Sequence, residues 1–132
     1  MLFRSEWEFA CRAGTSTPFP NGTADESTLP GLAWFAPNAD GRTHPVGTRD
    51  ANALGFADML GNVSEWVMDP LADYVADNGS TLTGPLLSPL RGIRGGSWYD
   101  DAGGGGARSS ARSGGGTDRS DPGIGFRAAR SP

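Results

Sequence analysis

The stretch NALGFADMLGNVSEWVMD, residues 52–69, carries the strongest local signals for the fold of this chain. A turn-rich first half leads into an apolar run. This order predicts a turn, then one turn of helix near Ala57–Leu60, then a strand through Val63–Met68. The stretch also places two carboxylates, Asp58 and Glu65, seven residues apart with a glycine between them. It therefore combines a tight turn with a candidate cation site.

A hard cation such as Ca²⁺ takes about 6–8 oxygen ligands from carboxylates and carbonyls. The side chains of Asp58 and Glu65, together with the carbonyls of Gly61 and Val63, supply four. The spacing is not that of an EF-hand. From the residues alone, a second interpretation stays open, in which Asp58 caps a turn and Glu65 pairs with an arginine.

The flanking segments predict one helix and several short strands. Ser5 as N-cap, Glu8 three residues later and Gly14 as terminator indicate a helix over about residues 5–13. Its apolar stripe consists of Phe3, Trp7, Ala10 and Cys11. Further strands are expected at Leu32–Phe35, 91–98 and 124–129, with loops over 15–51 and 70–90. Short strands, long loops and one helix indicate an α+β fold.

The glycines are concentrated near the C-terminus, since residues 95–125 hold 11 of the 21. Apolar residues flank this segment on both sides, which predicts a long loop over residues 99–123 that is pinned at both ends. Its surroundings are rich in arginines, which either tether the loop or recognise a ligand carboxylate. These arginines are Arg91, Arg94, Arg108, Arg112 and Arg127; the expected tethers are Glu65, Asp69, Asp100 and Asp101.

Composition excludes several classes of protein. The 132 residues fit one domain, 1–132. A net charge of −4 and a pI near 4.8 disfavour nucleic acid as a partner. No run approaches the ~20 apolar residues of a membrane span, and no signal peptide is visible, so the default expectation is a cytoplasmic protein. The single cysteine, Cys11, rules out a disulfide framework and is expected to be a buried small hydrophobe, not a partner of His44 in catalysis.

Four blocks, in order along the chain, carry a family resemblance. They are SEWEFACRAG (5–14), HPVG (44–47) with NALGFADMLGNVSEW (52–66), RGGSW (94–98) with RSSAR (108–112), and IGFR (124–127). Together they resemble the sulfatase-modifying-factor, or formylglycine-generating enzyme, family. One departure inside them is Ser64, where the family usually has tryptophan.

The resemblance implies an irregular C-type-lectin-like fold with short antiparallel strands and long loops. It also implies that Asp58, Gly61, Val63 and Glu65 form a family calcium site. Relative to the family, the chain is expected to be N-terminally truncated. The missing N-terminal half is therefore one expected partner.

The family oxidase uses a pair of cysteines that bind one copper ion just after the GGS motif. Here residues 99–106 contain no cysteine, so copper is not expected. The resemblance then implies a non-catalytic module that displays its glycine-rich loop to an unknown protein or small-molecule ligand. The residues expected to bind this ligand or frame the loop are Trp98, Tyr99, Asp100, Asp101, Arg108, Arg112 and Arg127.

Three alternatives remain. One is an oxidase relative that converts a sulfatase cysteine to formylglycine. Another is a variable protein of a diversity-generating retroelement, because residues 99–107 and 113–123 consist largely of types reachable from AAC codons by adenine changes. The third is a non-functional fragment. GC-biased drift in a solvent-exposed loop would produce a similar composition.

Overall fold

The computed structural model of the chain describes residues 1–71, 89–102 and 106–129. Two helices and six strands lie within these ranges. They are α1 (Arg4–Arg12), α2 (Leu29–Leu32, preceded by a 3-10 turn at Glu26–Thr28), β1 (Ala33–Trp34), β2 (Leu60–Gly61), β3 (Ser64–Pro70), β4 (Leu90–Arg94), β5 (Arg112–Gly116) and β6 (Ile124–Gly125). Neither of these helices is long and apolar enough to cross a membrane. Most of the loop expected over 70–90 lies outside the described residues.

Helix α1 confirms the expected first element but begins one residue earlier. Phe3 is the N-cap, and the Glu6 carboxylate accepts a hydrogen bond from the Phe3 backbone amide at 2.8 Å. Ser5 therefore lies inside the first turn, and the predicted capping pair of Ser5 and Glu8 is wrong. Glu8 instead points toward the C-terminal half of the chain, where it contacts Arg94.

The core forms where α1 packs against β3 and β4. From the predicted apolar stripe, Trp7 and Cys11 are buried, whereas Phe3 is exposed. Around the two buried side chains lie apolar residues from α2, β1, β2, β3 and the loops between elements: Phe19, Leu29, Leu32, Ala33, Phe35, Met59, Leu60, Val67, Ala102 and Ala107. Burial of such side chains is the main stabilising term for a domain with so little regular structure.

A tight irregular turn replaces the one-turn helix expected near Ala57–Leu60. Asp58, Gly61 and Asn62 all have left-handed backbone conformations, with φ of 53°, 70° and 60°. Such residues do not continue a right-handed helix. The turn allows β2 to run parallel to β1, and the Asn62 amide donates to the Trp34 carbonyl at 2.6 Å.

Gly61 is where this turn makes its closest approach. A Cβ at this position would lie 2.2 Å from the Trp34 carbonyl oxygen, a distance that no side chain can occupy. The Gly61 amide also donates to the Gly95 carbonyl at 2.9 Å. This glycine therefore joins β1 to the segment after β4.

The larger sheet has the order β5-β4-β3-β6. The pairs β3–β4 and β4–β5 are antiparallel as expected, but β3–β6 is parallel, so the sheet is mixed. The strand expected over 91–98 ends at Arg94, because Gly95 and Gly96 both adopt positive φ. The strand expected over 124–129 is limited to Ile124–Gly125.

Strand β5 lies inside the segment that the sequence predicted to be a loop. Two of its glycines are closely packed: a Cβ on Gly114 would lie 2.4 Å from the Leu71 side chain, and one on Gly115 would lie 3.1 Å from Trp66. Part of the glycine excess thus belongs to a sheet strand. Residues 103–105 of the predicted loop lie outside the described residues.

We expect Gly61→Ala to destabilise the fold more than Gly41→Ala, whose φ of 68° is almost the same but whose Cβ would meet nothing within 4 Å. The control should lose about 1–2 kcal/mol for its left-handed backbone. Gly61→Ala should lose about 1–3 kcal/mol more, because its methyl group overlaps the Trp34 carbonyl. Urea unfolding followed by tryptophan fluorescence measures both; equal losses would contradict the close-approach argument.

Candidate functional site

The first candidate site is a cavity of about 300 Å³ beside the Asp58 turn. It brings together all four predicted cation ligands, Asp58, Gly61, Val63 and Glu65. The remaining lining residues are Val46, Asn62, Phe126, Arg127 and Ala128. Val46 and Phe126 are highly exposed, at 80% and 74%, so the cavity opens at an apolar rim.

Glu65 is buried and has hydrogen-bond donors at both carboxylate oxygens. Trp7 Nε1 donates to Oε2 at 2.8 Å. Arg127 donates from Nε to both oxygens, at 3.0 and 3.1 Å, and from Nη2 to Oε1 at 2.7 Å. The pairing of Glu65 with an arginine, one of the two interpretations left open by the sequence, is therefore present.

Arg127 also holds the turn that carries Asp58. Its Nη2 donates to the carbonyls of Ala57 and Asp58 at 3.1 and 2.9 Å. The Asp58 carboxylate accepts through Oδ2 from the Gly47 amide, as in the turn-capping interpretation. One guanidinium thus fastens the segment after β6 to both β3 and the turn.

These residues fit the oxygen chemistry of a calcium site in part. Asp58 Oδ1 accepts no hydrogen bond from the described residues, and the carbonyl-bearing residues Gly61 and Val63 line the same cavity. Within residues 1–71, 89–102 and 106–129 there is no group of three His, Cys, Asp or Glu side chains suited to a metal. A cation here would therefore depend on backbone oxygens, and at Glu65 it would meet a carboxylate already engaged by Arg127 and Trp7.

The second candidate site is a polar cavity of about 400 Å³ between β4, β5 and the segment after Trp98. Four of the seven predicted ligand-binding or loop-framing residues line it: Tyr99, Asp100, Asp101 and Arg112. Ser64, Ile93, Gly95, Gly96, Gly106, Ala111 and Ser113 complete the wall. Arg127 belongs to the first cavity instead. Trp98 and Arg108 are not part of the wall.

Asp100 and Tyr99 have distinct roles around this second cavity. Asp100 Oδ2 accepts from the amide and hydroxyl of Ser97, which closes a turn. The Tyr99 hydroxyl donates to Asp121 Oδ1 at 3.0 Å, and the Tyr99 ring meets the edge of Trp98. Burial, followed by the Asp121 contact, raises the pKa of Tyr99.

Asp121 is a structural residue that the sequence interpretation missed. It accepts from the Gly123 amide at 2.8 Å and pairs with Arg119 at 2.6 Å. The Gly123 hydrogen bond, followed by the Arg119 contact, lowers the pKa of Asp121. The Asp-Pro-Gly sequence at 121–123 was the available signal, since it is typical of a turn stabilised by the aspartate side chain.

Arg94 tethers the glycine-rich segment, but through carbonyls more than through the carboxylates that were expected. It is fully buried, lies over the Trp7 ring and forms an ion pair with Glu8. Its Nη atoms donate to three successive carbonyls, those of Ser109, Ser110 and Ala111. Asp69, another expected tether, accepts instead from the Arg4 amide at the start of α1.

Cys11 confirms the expectation of a buried small hydrophobe. Its thiol faces Ser109 Oγ at 3.5 Å, and burial raises its pKa to about 11. His44, the only histidine, contacts the Ala39 carbonyl and stacks on Trp34 at 3.7 Å. The two residues have separate partners and do not form a nucleophilic pair.

Comparison with known proteins agrees with this fold. The sulfatase-modifying factor enzyme 1-like domain family matches residues 1–132, and the chain belongs to that family. A formylglycine-generating enzyme of Mycobacterium tuberculosis is 38% identical over 72 residues, which cover 47% of this chain and 24% of the relative. A hercynine oxygenase of Mycolicibacterium smegmatis is 36% identical over 107 residues, which cover 70% of this chain and 24% of the relative.

Two solved structures share the irregular C-type-lectin-like architecture. Treponema denticola variable protein 1 superposes with a TM-score of 0.85 at 30% identity, covering 96% of this chain and 45% of that one. PvdO from Pseudomonas aeruginosa superposes with a TM-score of 0.80 at 33% identity, covering 96% and 50%. The chain thus spans about half the length of these structures and about a quarter of the curated relatives.

We expect the buried thiol of Cys11 to lower the free energy of unfolding as the pH rises above 9. Its pKa is about 11 in the folded chain against 9.0 for a free thiol, so the unfolded state loses a proton first. The stabilisation is complete below pH 9 and is lost as the pH rises toward 11, in total about 3 kcal/mol. Urea unfolding between pH 8 and 11 measures it. Cys11→Ala should not show this loss of stability between pH 9 and 11. If the free energy of unfolding fell equally with pH in both proteins, the loss could not be assigned to Cys11.

Proposed function

We propose that the chain is a ligand-binding member of its family that does not generate formylglycine. The observation that carries this proposal is the buried position of its only cysteine. Cys11 is buried in the core with a raised pKa, while the positions after Gly96-Ser97 hold Tyr99, Asp100 and Asp101. Thiolates are the ligands that select Cu(I). Without a second cysteine, a paired-thiolate copper centre cannot form within this chain.

The polar cavity supports a binding role. It lies at the position that follows the RGGSW motif and is about 400 Å³ in volume, within the usual range for small-ligand sites. Its wall carries both signs of charge, from Asp101 and Arg112, together with the Tyr99 ring. Tyr99–Asp121 and Ser97–Asp100 hydrogen bonds hold the wall in place, so the surface is pre-organised for binding.

We expect the purified chain, supplied with copper and oxygen, to leave a peptide of the Cys-x-Pro-x-Arg type unchanged. The reason is that no accessible thiolate pair exists to hold copper. Mass spectrometry of the peptide measures aldehyde formation, and the M. tuberculosis formylglycine-generating enzyme serves as positive control. Copper-dependent aldehyde formation by this chain would favour the alternative that it is an oxidase relative.

We expect a tryptophan at Ser113 to block ligand capture, because Ser113 is exposed on the cavity wall. Ser120→Trp is the matched control, since Ser120 is exposed but lies outside the lining. A panel of sugars, amino acids and short peptides is screened by ligand-observed NMR. Compounds that bind the wild type should bind Ser120→Trp equally and Ser113→Trp at least about tenfold more weakly. Equal binding to all three proteins would argue against the cavity.

A second candidate function is that of a variable protein with a diversified loop. The observation that favours it is the structural similarity to Treponema denticola variable protein 1. Five of the eleven described residues that line the polar cavity also fall within the segments 99–107 and 113–123: Tyr99, Asp100, Asp101, Gly106 and Ser113. Sequencing of the flanking DNA tests this candidate. A near-copy of the coding segment for residues 98–127 that differs only at adenines would support it, and a flank without such a copy or a reverse-transcriptase gene would count against it.

Calcium binding at Asp58, Gly61, Val63 and Glu65 is part of the same proposal. Its support is that the four residues share one cavity and offer the carboxylate and carbonyl oxygens that calcium prefers. The ion would cross-link the Asp58 turn to β3. Its role would then be to stabilise the scaffold that carries the polar cavity.

A further inference from the structure

We propose that Arg127 is a built-in competitor of the divalent cation at the Asp58 cavity, and that it thereby sets the cation affinity of this chain. The inference rests on the calcium proposal above, because it concerns the same carboxylate. It assigns to Arg127 a role beyond framing a loop: the guanidinium neutralises Glu65 when no cation is bound.

Both carboxylate oxygens of Glu65 accept hydrogen bonds. A carboxylate offers about four lone-pair positions. Oε1 accepts two hydrogen bonds from Arg127, at 2.7 and 3.0 Å. Oε2 accepts one from Trp7 at 2.8 Å and one from Arg127 at 3.1 Å. Both carboxylate oxygens are therefore engaged, with the single Arg127 Nε–H shared between them, and a cation that binds Glu65 competes with these donors for its lone pairs.

Arg127 is the donor that can yield. Trp7 is 1% exposed and wedged in the core, so its indole cannot withdraw without opening the helix–sheet interface. The Arg127 side chain is 26% exposed and borders the open cavity. It also keeps two carbonyl partners, those of Ala57 and Asp58, when it releases a Glu65 oxygen.

The guanidinium also reduces the negative charge of the cavity. The charged side chains that line the cavity are Asp58, Glu65 and Arg127, which together carry one net negative charge. Without the guanidinium the same cavity would carry two. Calcium sites tune their affinity over several decades through the number of ligand charges and the rigidity of the site. The Arg127 guanidinium reduces the net negative charge of the cavity, and a binding cation must also displace it from Glu65.

Calorimetric titration with CaCl₂ on the full chain tests the inference. Arg127→Gln removes the competing charge and keeps a side-chain amide for the neighbouring carbonyls, so its calcium Kd should be about tenfold tighter than that of the wild type. Arg42→Gln removes the same charge from an exposed position outside the cavity and should bind calcium as the wild type does. Glu65→Gln should bind far more weakly.

The outcomes separate the two proposals. If wild type and Arg42→Gln bind calcium and Arg127→Gln binds it equally or less tightly, the competition is refuted while the site stands. If none of these three proteins binds calcium, both proposals fail. Near-UV circular dichroism of the tryptophans checks folding. Should Arg127→Gln not fold, Arg127→Lys replaces it: lysine keeps the positive charge but lacks the planar fork that spans both Glu65 oxygens, so its calcium Kd should still be tighter than that of the wild type, by less than the tenfold expected for Arg127→Gln, and unchanged or weaker binding overturns the inference.

Discussion

The buried carboxylate of Glu65 is the interaction on which the arrangement of this domain depends. It lies in β3 and is held by Trp7 from helix α1 and by Arg127 from the segment after β6. A buried carboxylate that loses its partners is costly, because a charge then remains in a poorly solvated place. The first helix, the central strand and the C-terminal segment are thereby tied to one another through one side chain. In a chain with few long elements, such a junction replaces the extended packing of longer helices and strands.

Arg94 provides a second junction of the same kind. Its guanidinium satisfies three carbonyls of residues 109–111 and the carboxylate of Glu8, and it lies over the Trp7 ring. Irregular backbone cannot satisfy its own carbonyls as a helix or sheet does, so a side-chain donor must supply the hydrogen bonds. The two arginines therefore hold carbonyls of irregular segments, Arg94 those of residues 109–111 and Arg127 those of residues 57 and 58.

Family membership and function are separate conclusions for this chain. The sequence motifs that carry the family resemblance build the scaffold: the α1 helix, the Asp58 turn, the β4 strand and the residues around Arg127. The sequence has one cysteine, Cys11, and this residue is buried in the core. A fold can host several functions because the scaffold and the site are encoded by different residues. The polar cavity, with Tyr99, Asp101 and Arg112 in its wall, is the site that we propose for ligand binding.

The sequence by itself determined the α1 helix, the central strand, the lectin-like class and the lack of a second thiol. These follow from local signals: helical periodicity, an apolar run, ordered motifs and composition. Only the tertiary structure decided that residues 57–62 turn with left-handed backbone and that residues 112–116 form a strand. It also decided which carboxylate each arginine meets. Local propensity does not contain this information, because a glycine that allows a turn also allows close packing. A charged side chain, in turn, pairs with its partner only when folding brings distant segments of the chain together.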